Sequence, residues 1–313
     1  MPFRCYAVFN AVSAKICLKN RMLNGSRNSE RTSKEDKMKR IVSFLLCAVM
    51  ILAFAGCSKG EIIEKVKEEL TAEPTKNTVS VTFPEGYTVT QTAELLEEKG
   101  VCSKADFLAA VNNISELDYK FIADIKNTDK RAFTLEGYIF PDTYEFYLGE
   151  SADKALSRFL KNTDRKLTAE MYQKAKDLGY SMDEIITIAS IIQKEAGIKK
   201  EMPKVSSVLH NRLNDSYNKL ECDVTINYLT KYVIPYLEGE NADRYNEYYN
   251  TYKCKGLPAG AICNPGIEAI NAALEPADTK YMFFVTDKTD TSKYYYAETY
   301  KEHLKNCKKA GWN

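Results

Sequence analysis

The chain has 313 residues, 44% hydrophobic and 28% charged, the balance of a folded globular body rather than a disordered chain. Its net charge of +1 conceals an asymmetry: residues 1–56 hold ten Lys and Arg against three Asp and Glu, leaving 34 basic and 40 acidic residues, a net of −6, for the remainder. That distribution excludes a nucleic-acid partner for the main body, and two histidines with no Cys-x-x-Cys pair indicate neither a structural metal site nor a cofactor.

Residues 1–37 are polar and basic without periodicity, and are expected to derive from an upstream start codon, outside the functional protein. Met38-Lys39-Arg40, then an apolar run of 15 residues from Ile41 to Ala55, give residues 38–56 the layout of a secretory signal peptide. The small residues before Cys57 resemble the lipobox of bacterial lipoproteins, which would make Cys57 the lipidated first residue of the mature chain. Phe54 departs from that pattern, standing where Leu is usual. The run is shorter than the ~20 residues of a spanning helix, and an uncleaved membrane anchor is the alternative. Both readings hold the body at the outer face of a membrane. Residues 57–78, rich in Lys, Glu and Thr and broken by Pro74, read as a tether, with a transient helix over Glu61 to Leu70. Beyond Cys57 an odd number of cysteines remains: Cys102, Cys222, Cys254, Cys263 and Cys307. A Cys254–Cys263 disulfide and free thiols are both compatible with the spacing.

Val79 to Phe83 alternates as a strand. Helices are expected over Thr90 to Lys99, stopped by Gly100, and over Ser103 to Val111. Leu135 to Leu148, aromatic-rich and broken by Pro141, suits an irregular cleft wall. Ala152 to Leu178 reads as helix in two pieces around Thr163–Thr168. Met182 to Ala196 is a helix opened by a Ser181/Glu184 capping box and stopped by Gly197. Ile188, Ile191, Ile192 and Glu195 recur at offsets 0, 3, 4 and 7, so Glu195 ends an apolar stripe. A carboxyl there loses hydration, which raises its pKa and suits a general acid; turned outward, it is an ordinary helix end. A further helix spans Met202 to Leu213. Beyond Asp223 the chain is rich in Tyr, Asn and Gly. Gly256-Leu-Pro-Ala-Gly260 is a sharp loop, Pro265 and Gly266 open a helix through Leu274, and Tyr281 to Thr286 is a strand that Lys293 to Ala297 could pair.

Six ordered segments carry a resemblance: Glu136-Gly-Tyr-Ile-Phe-Pro-Asp-Thr-Tyr144, Ala189-Ser-Ile-Ile-Gln-Lys-Glu195-Ala, Asn211-Arg-Leu213, Tyr249-Asn-Thr-Tyr252, Gly256-Leu-Pro-Ala-Gly260 and Asn264-Pro-Gly266. Over residues 79–313 the chain resembles the endolytic murein transglycosylases, the MltG or YceG-like family. The resemblance implies an α+β fold, with a small LysM-like N-terminal module (79–130) followed by a larger mixed α/β catalytic domain with a cleft (131–313). It implies cleavage of the MurNAc–GlcNAc bond within nascent peptidoglycan strands, leaving 1,6-anhydro-MurNAc ends. Glu195 aligns with the family's catalytic acid. Many members also carry Glu at the position of Gln193, so Gln here argues against an essential acid at that position. Asp223 lies where the family usually has Gln-x-Asp-Pro-Thr-Val, with Val224 replacing the Pro. Asp142, Tyr144, Asn211, Arg212, Asp223, Tyr249, Asn250, Thr251, Tyr252 and Asn264 are the substrate-binding candidates. Asn211 and Arg212 would orient acetamido or peptide groups or hold Asp223, and Arg212 reads equally as a structural ion pair at a helix end. The expected partners are glycan strands, the membrane, and penicillin-binding proteins with other elongation proteins. Two other readings stay open: a non-catalytic cell-wall-binding lipoprotein, and a muramidase-type hydrolase using Glu195 and Asp223.

Overall fold

A computed structural model describes residues 77–237 and 242–312. The expected extension, signal segment, lipidation residue Cys57 and tether as far as residue 76 lie outside the described residues. The elements run β1 (Thr78–Thr82), α1 (Val89–Glu98), α2 (Lys104–Ala110), β2 (Thr143–Tyr147), α3 (Ala152–Lys166), α4 (Ala169–Asp177) and α5 (Met182–Glu195). They continue with α6 (Met202–Asn214), α7 (Asp223–Tyr228), α8 (Ala242–Tyr249), α9 (Ile267–Leu274), β3 (Phe283–Thr286), β4 (Tyr294–Ala297) and α10 (Tyr300–Lys309). The class is α+β, and the described strands form two antiparallel pairs, β1–β2 and β3–β4.

Local chemistry sets most boundaries. Capping boxes start α1 (Thr88/Gln91), α5 (Ser181/Glu184) and α10 (Thr299/Glu302), each satisfying helix N–H groups that have no intrahelical partner. Gly100, at φ +71°, ends the α1 turn in the left-handed region.

Three segments differ from the sequence reading. Thr143–Tyr147, expected to be irregular, is strand β2: Tyr144 and Phe146 point inward in period two, and Val81 pairs with Tyr144. The strand at the front of the expected 79–130 module therefore pairs beyond residue 130, within a unit spanning Lys76–Asn313. The Tyr- and Asn-rich stretch after Asp223 forms α7, a π-helical turn (Leu229–Val233) and α8. Tyr228, Tyr245 and Tyr249 are buried there, their rings supplying the apolar area that the composition conceals. Finally α10, not expected, packs on β3 and β4.

One continuous core has an aromatic part and a helical part. Phe83, Phe107, Tyr144, Phe146 and Phe159 interlock, with Phe83 and Phe159 edge-to-face at 5.0 Å. Helix α5 forms the other part, packed against α4, α6, α7 and α9. Ten of its 14 residues are buried, so it is enclosed nearly all round rather than along one stripe. In its first turn the buried Asp183 pairs with Arg131 and accepts from Tyr138 Oη at 2.7 Å.

Candidate active site

Helix α5 delivers Glu195 from this core to the surface. Ile188, Ile191 and Ile192 are fully buried, and Glu195 is half-buried as the last helical residue. Burial, and after it the negative charge of Asp223, push the Glu195 carboxyl up to about 7. It can therefore keep a proton near neutral pH, as a general acid requires.

The helix does not end as expected. Ala196 turns extended (φ −96°, ψ 96°), and Gly197 keeps no left-handed conformation. Its N–H donates to Tyr294 Oη at 2.9 Å, and that hydroxyl donates to the Glu195 carbonyl at 3.2 Å. Tyr294 on β4 thus fixes the end of α5, and nothing in the sequence around it marked that role.

Asp223 opens α7 and is exposed. Tyr252, 43% exposed, donates its hydroxyl to Asp223 Oδ1 at 2.8 Å. The turn leading to Asp223 is held from behind. Thr251 is fully buried; its Oγ1 accepts from Cys222 N at 2.8 Å, and its carbonyl accepts from Glu221 N at 3.2 Å. Thr225 Oγ1 closes the same turn on Cys222 O at 2.8 Å. Arg212 pairs with Glu221, donates to Leu220 O at 2.9 Å and lies over the Phe283 ring. Of the two readings of Arg212, it makes the structural ion pair, through Glu221 rather than Asp223.

The remaining candidates separate by what they touch. Asn250 bonds Asn246 and the Tyr252 N–H, shaping the turn that presents Tyr252. Tyr249 is buried with its ring 5.5 Å from that of Tyr228. Asn211 donates to the carbonyls of Thr279 and Tyr281, each at 2.9 Å. Asn264 is buried: its Oδ1 accepts from Gly137 and Ile139, and its Nδ2 donates to Tyr87 O and Glu136. Asp142 and Tyr144 line a different depression with Arg158, Lys161, Asn162 and Arg165, where Tyr144 Oη donates to Phe140 O at 2.6 Å. The structure therefore brings Asp223 within electrostatic reach of Glu195 and seats Tyr252 on Asp223, sets Asn250, Thr251 and Arg212 behind that turn, and leaves Asp142 and Tyr144 in a cluster of their own. Gln193 accepts from Gly266 N at 2.9 Å and so ties α5 to the start of α9.

One residue carries more than the sequence reading gave it. Glu136 heads the first motif and is 1% exposed. It accepts from Val89 N, Tyr228 Oη and Asn264 Nδ2, joining the start of α1 to α7 and the 264 loop. Burial pushes its carboxyl up to about 8 against these donors. Its place at the head of a matched motif was the available signal.

Among the described residues no group of three His, Cys, Asp or Glu could hold a metal ion, and no helix is long and apolar enough to cross a membrane. Cys102, Cys222, Cys254, Cys263 and Cys307 are free thiols.

With this geometry in hand, comparison with known proteins gives consistent results. The YceG-like family model matches residues 55–309. An endolytic murein transglycosylase of Bacillus subtilis is 29% identical over 266 residues, covering 80% of this chain and 71% of the relative. An endolytic murein transglycosylase of Streptococcus pneumoniae is 27% identical over 267 residues; the chain spans about half of it, 48%. A crystal structure of a yceG-like protein from Listeria monocytogenes superposes with a TM-score of 0.56 at 29% identity, covering 79% of this chain and 80% of that one.

Proposed function

The chain belongs to the YceG-like family, and from that premise we propose that it is an endolytic murein transglycosylase, a lyase that cuts the MurNAc–GlcNAc bond inside nascent peptidoglycan strands. The observation that carries this reading is Glu195: a carboxyl at the exposed end of a buried helix, raised to about 7, with Asp223 and Tyr252 beside it.

A single carboxyl can serve this reaction. Ordinary glycosidases use two carboxylates because water or an enzyme nucleophile must attack the anomeric carbon. Here the 6-hydroxyl of the muramyl residue is the nucleophile. Protonated Glu195 gives its proton to the glycosidic oxygen as the C1–O bond breaks. The 6-hydroxyl oxygen bonds to C1, and its proton passes to the Glu195 carboxylate, which restores the acid. The attack is intramolecular, so holding the ring in a reactive conformation replaces much of the missing chemistry. Asp223 supplies negative charge near the cationic anomeric centre and keeps Glu195 protonated.

The finer assignments rest on the sequence. We assign Cys57 as the lipidated residue or, alternatively, residues 38–56 as a retained anchor, with the body at the outer face of the cytoplasmic membrane. The elongation machinery, penicillin-binding proteins included, is the matching partner. The strand–helix–helix order of β1, α1 and α2 supports a LysM-like glycan-binding role for the front of the fold.

The test is digestion of uncrosslinked strands by the chain and by Glu195→Gln, with products read by mass spectrometry. Internal fragments ending in anhydro-muramic acid, lost in the variant, are expected. Reducing ends carrying an added water would establish a hydrolase instead, and binding without cleavage would leave a non-catalytic lipoprotein.

A further inference from the structure

Two lysines flank one depression beside the acid, and neither makes an ion pair or side-chain hydrogen bond with a described residue. Lys194 immediately precedes Glu195, and Lys231 projects from the π-helical turn that continues α7. Between them lies a depression of about 180 Å³ with Val224, Tyr228, Tyr232 and Ile262 as its apolar lining and Asn227 as its amide. No carboxylate lines it.

Lys199 pairs with Glu268 and Lys204 with Glu201, whereas Lys194 lies over the Tyr232 ring at 5.9 Å. The body carries a net negative charge, so two cations on a depression that no described carboxylate lines are a local reversal of sign. A place in the last turn of α5 accounts for Lys194 through the helix dipole, but not for Lys231. Asp223, Asn227 and Lys231 also recur four residues apart, so they climb one face of α7 and its π-helical extension, on the order of 12 Å from first to last. Lys194 and Val224 in its lining adjoin Glu195 and Asp223 in the chain, so the depression neighbours the site, and π-helical turns are often found where a chain presents functional groups.

Resting on the function proposed above, we propose that the depression between Lys194 and Lys231 is a subsite for a carboxylate on the muramyl side arm of the strand, from its lactyl group or from the peptide stem attached there. The ammonium groups and the Asn227 amide would meet the carboxylate, and the apolar lining its aliphatic neck.

The test measures binding, independently of turnover. The full chain carrying Glu195→Gln is titrated with stem-bearing strands, with amidase-treated strands that keep only the lactyl carboxylate, and with uncharged chito-oligosaccharides of equal length. Adding Lys231→Glu should weaken binding of charged strands by about fivefold or more, the size of a partly exposed ion pair. It should also flatten the salt dependence and leave the uncharged ligand unaffected, while Lys231→Arg keeps the parent's behaviour. Loss with amidase-treated strands alone identifies the lactyl carboxylate, loss with stem-bearing strands alone identifies a stem carboxylate, and loss with both shows that the depression accepts either. An unchanged Kd and salt slope for both charged strands, or an equal loss with the uncharged ligand, would overturn the subsite. Charge-dependent binding without any cleavage by the parent would overturn the proposed activity and leave the subsite standing.

Discussion

Tyr252 donates its hydroxyl to Asp223 at 2.8 Å, and the charge so held adds to burial in raising the proton affinity of Glu195. The two carboxyls therefore have unequal tasks. Asp223 stays exposed and hydrogen-bonded, whereas Glu195 is desolvated at the end of an apolar helix. Desolvation with a second carboxylate nearby is how a site holds a proton on one acid near neutral pH.

The pH profile follows. The general acid is active when protonated, so kcat/KM should fall as pH rises above about 7, approaching about tenfold per unit. Asp223→Asn removes the charge that helps raise Glu195, so the alkaline limb should move to lower pH with the fold intact. A limb that stays in place would show that Asp223 does not act on Glu195.

Thr251 acts through position. Thr251→Val removes the acceptor of the buried Cys222 N–H, a loss of about 1–3 kcal/mol. The turn that presents Asp223 should loosen as well. The expected signature is a lowered kcat with a lowered melting temperature, and Thr251→Ser should recover both. A melting temperature equal to the parent's would reject this account.

Glu136 makes stability depend on pH. Its folded-state carboxyl is raised from 4.5 to about 8, so its contribution is fully present below about pH 4.5 and is lost as pH rises through about 8. Urea midpoints should fall from pH 5 to pH 8.5, and Glu136→Gln should show a shallower fall. Equal slopes in the two proteins would place the titration elsewhere.

Gly137 tolerates no side chain. It sits at φ +96°, and an added Cβ would lie 2.7 Å from both Ala261 Cβ and Ile186 Cγ2. Gly137→Ala should therefore cost about 3 kcal/mol or more, from backbone strain and overpacking together. Thermal unfolding measures it directly, and a shift of under a degree would contradict the crowding.

How far the site was legible depends on the range of each interaction. The start of α5, its capping box and the place of Glu195 on its stripe follow from residues within one or two turns of each other, and short-range rules suffice for such features. The ordered motifs were likewise readable, because each is contiguous. What the motifs could not say is which of their polar groups face solvent. Thr251, Asn211 and Asn264 look like sugar-gripping residues in a string of letters, yet each bonds backbone groups brought together by folding. Tyr252, in the same run as the buried Tyr249, is the one that reaches Asp223.

By itself, the sequence determined the α5 helix, the position of Glu195 at the end of its apolar stripe, most helix limits and the family pattern, since periodicity and caps are local physics. Only the tertiary structure decided the rest: that β1 pairs with β2 across 61 residues or more, that Tyr294 fixes the end of α5, and that Asp223 charges the surroundings of Glu195. These depend on contacts distant in sequence, where the chain is closed by the packing of tyrosine-rich helices and strands around one buried helix. Burial, rather than residue type, separates the groups free to meet a substrate from those already bonded within the fold.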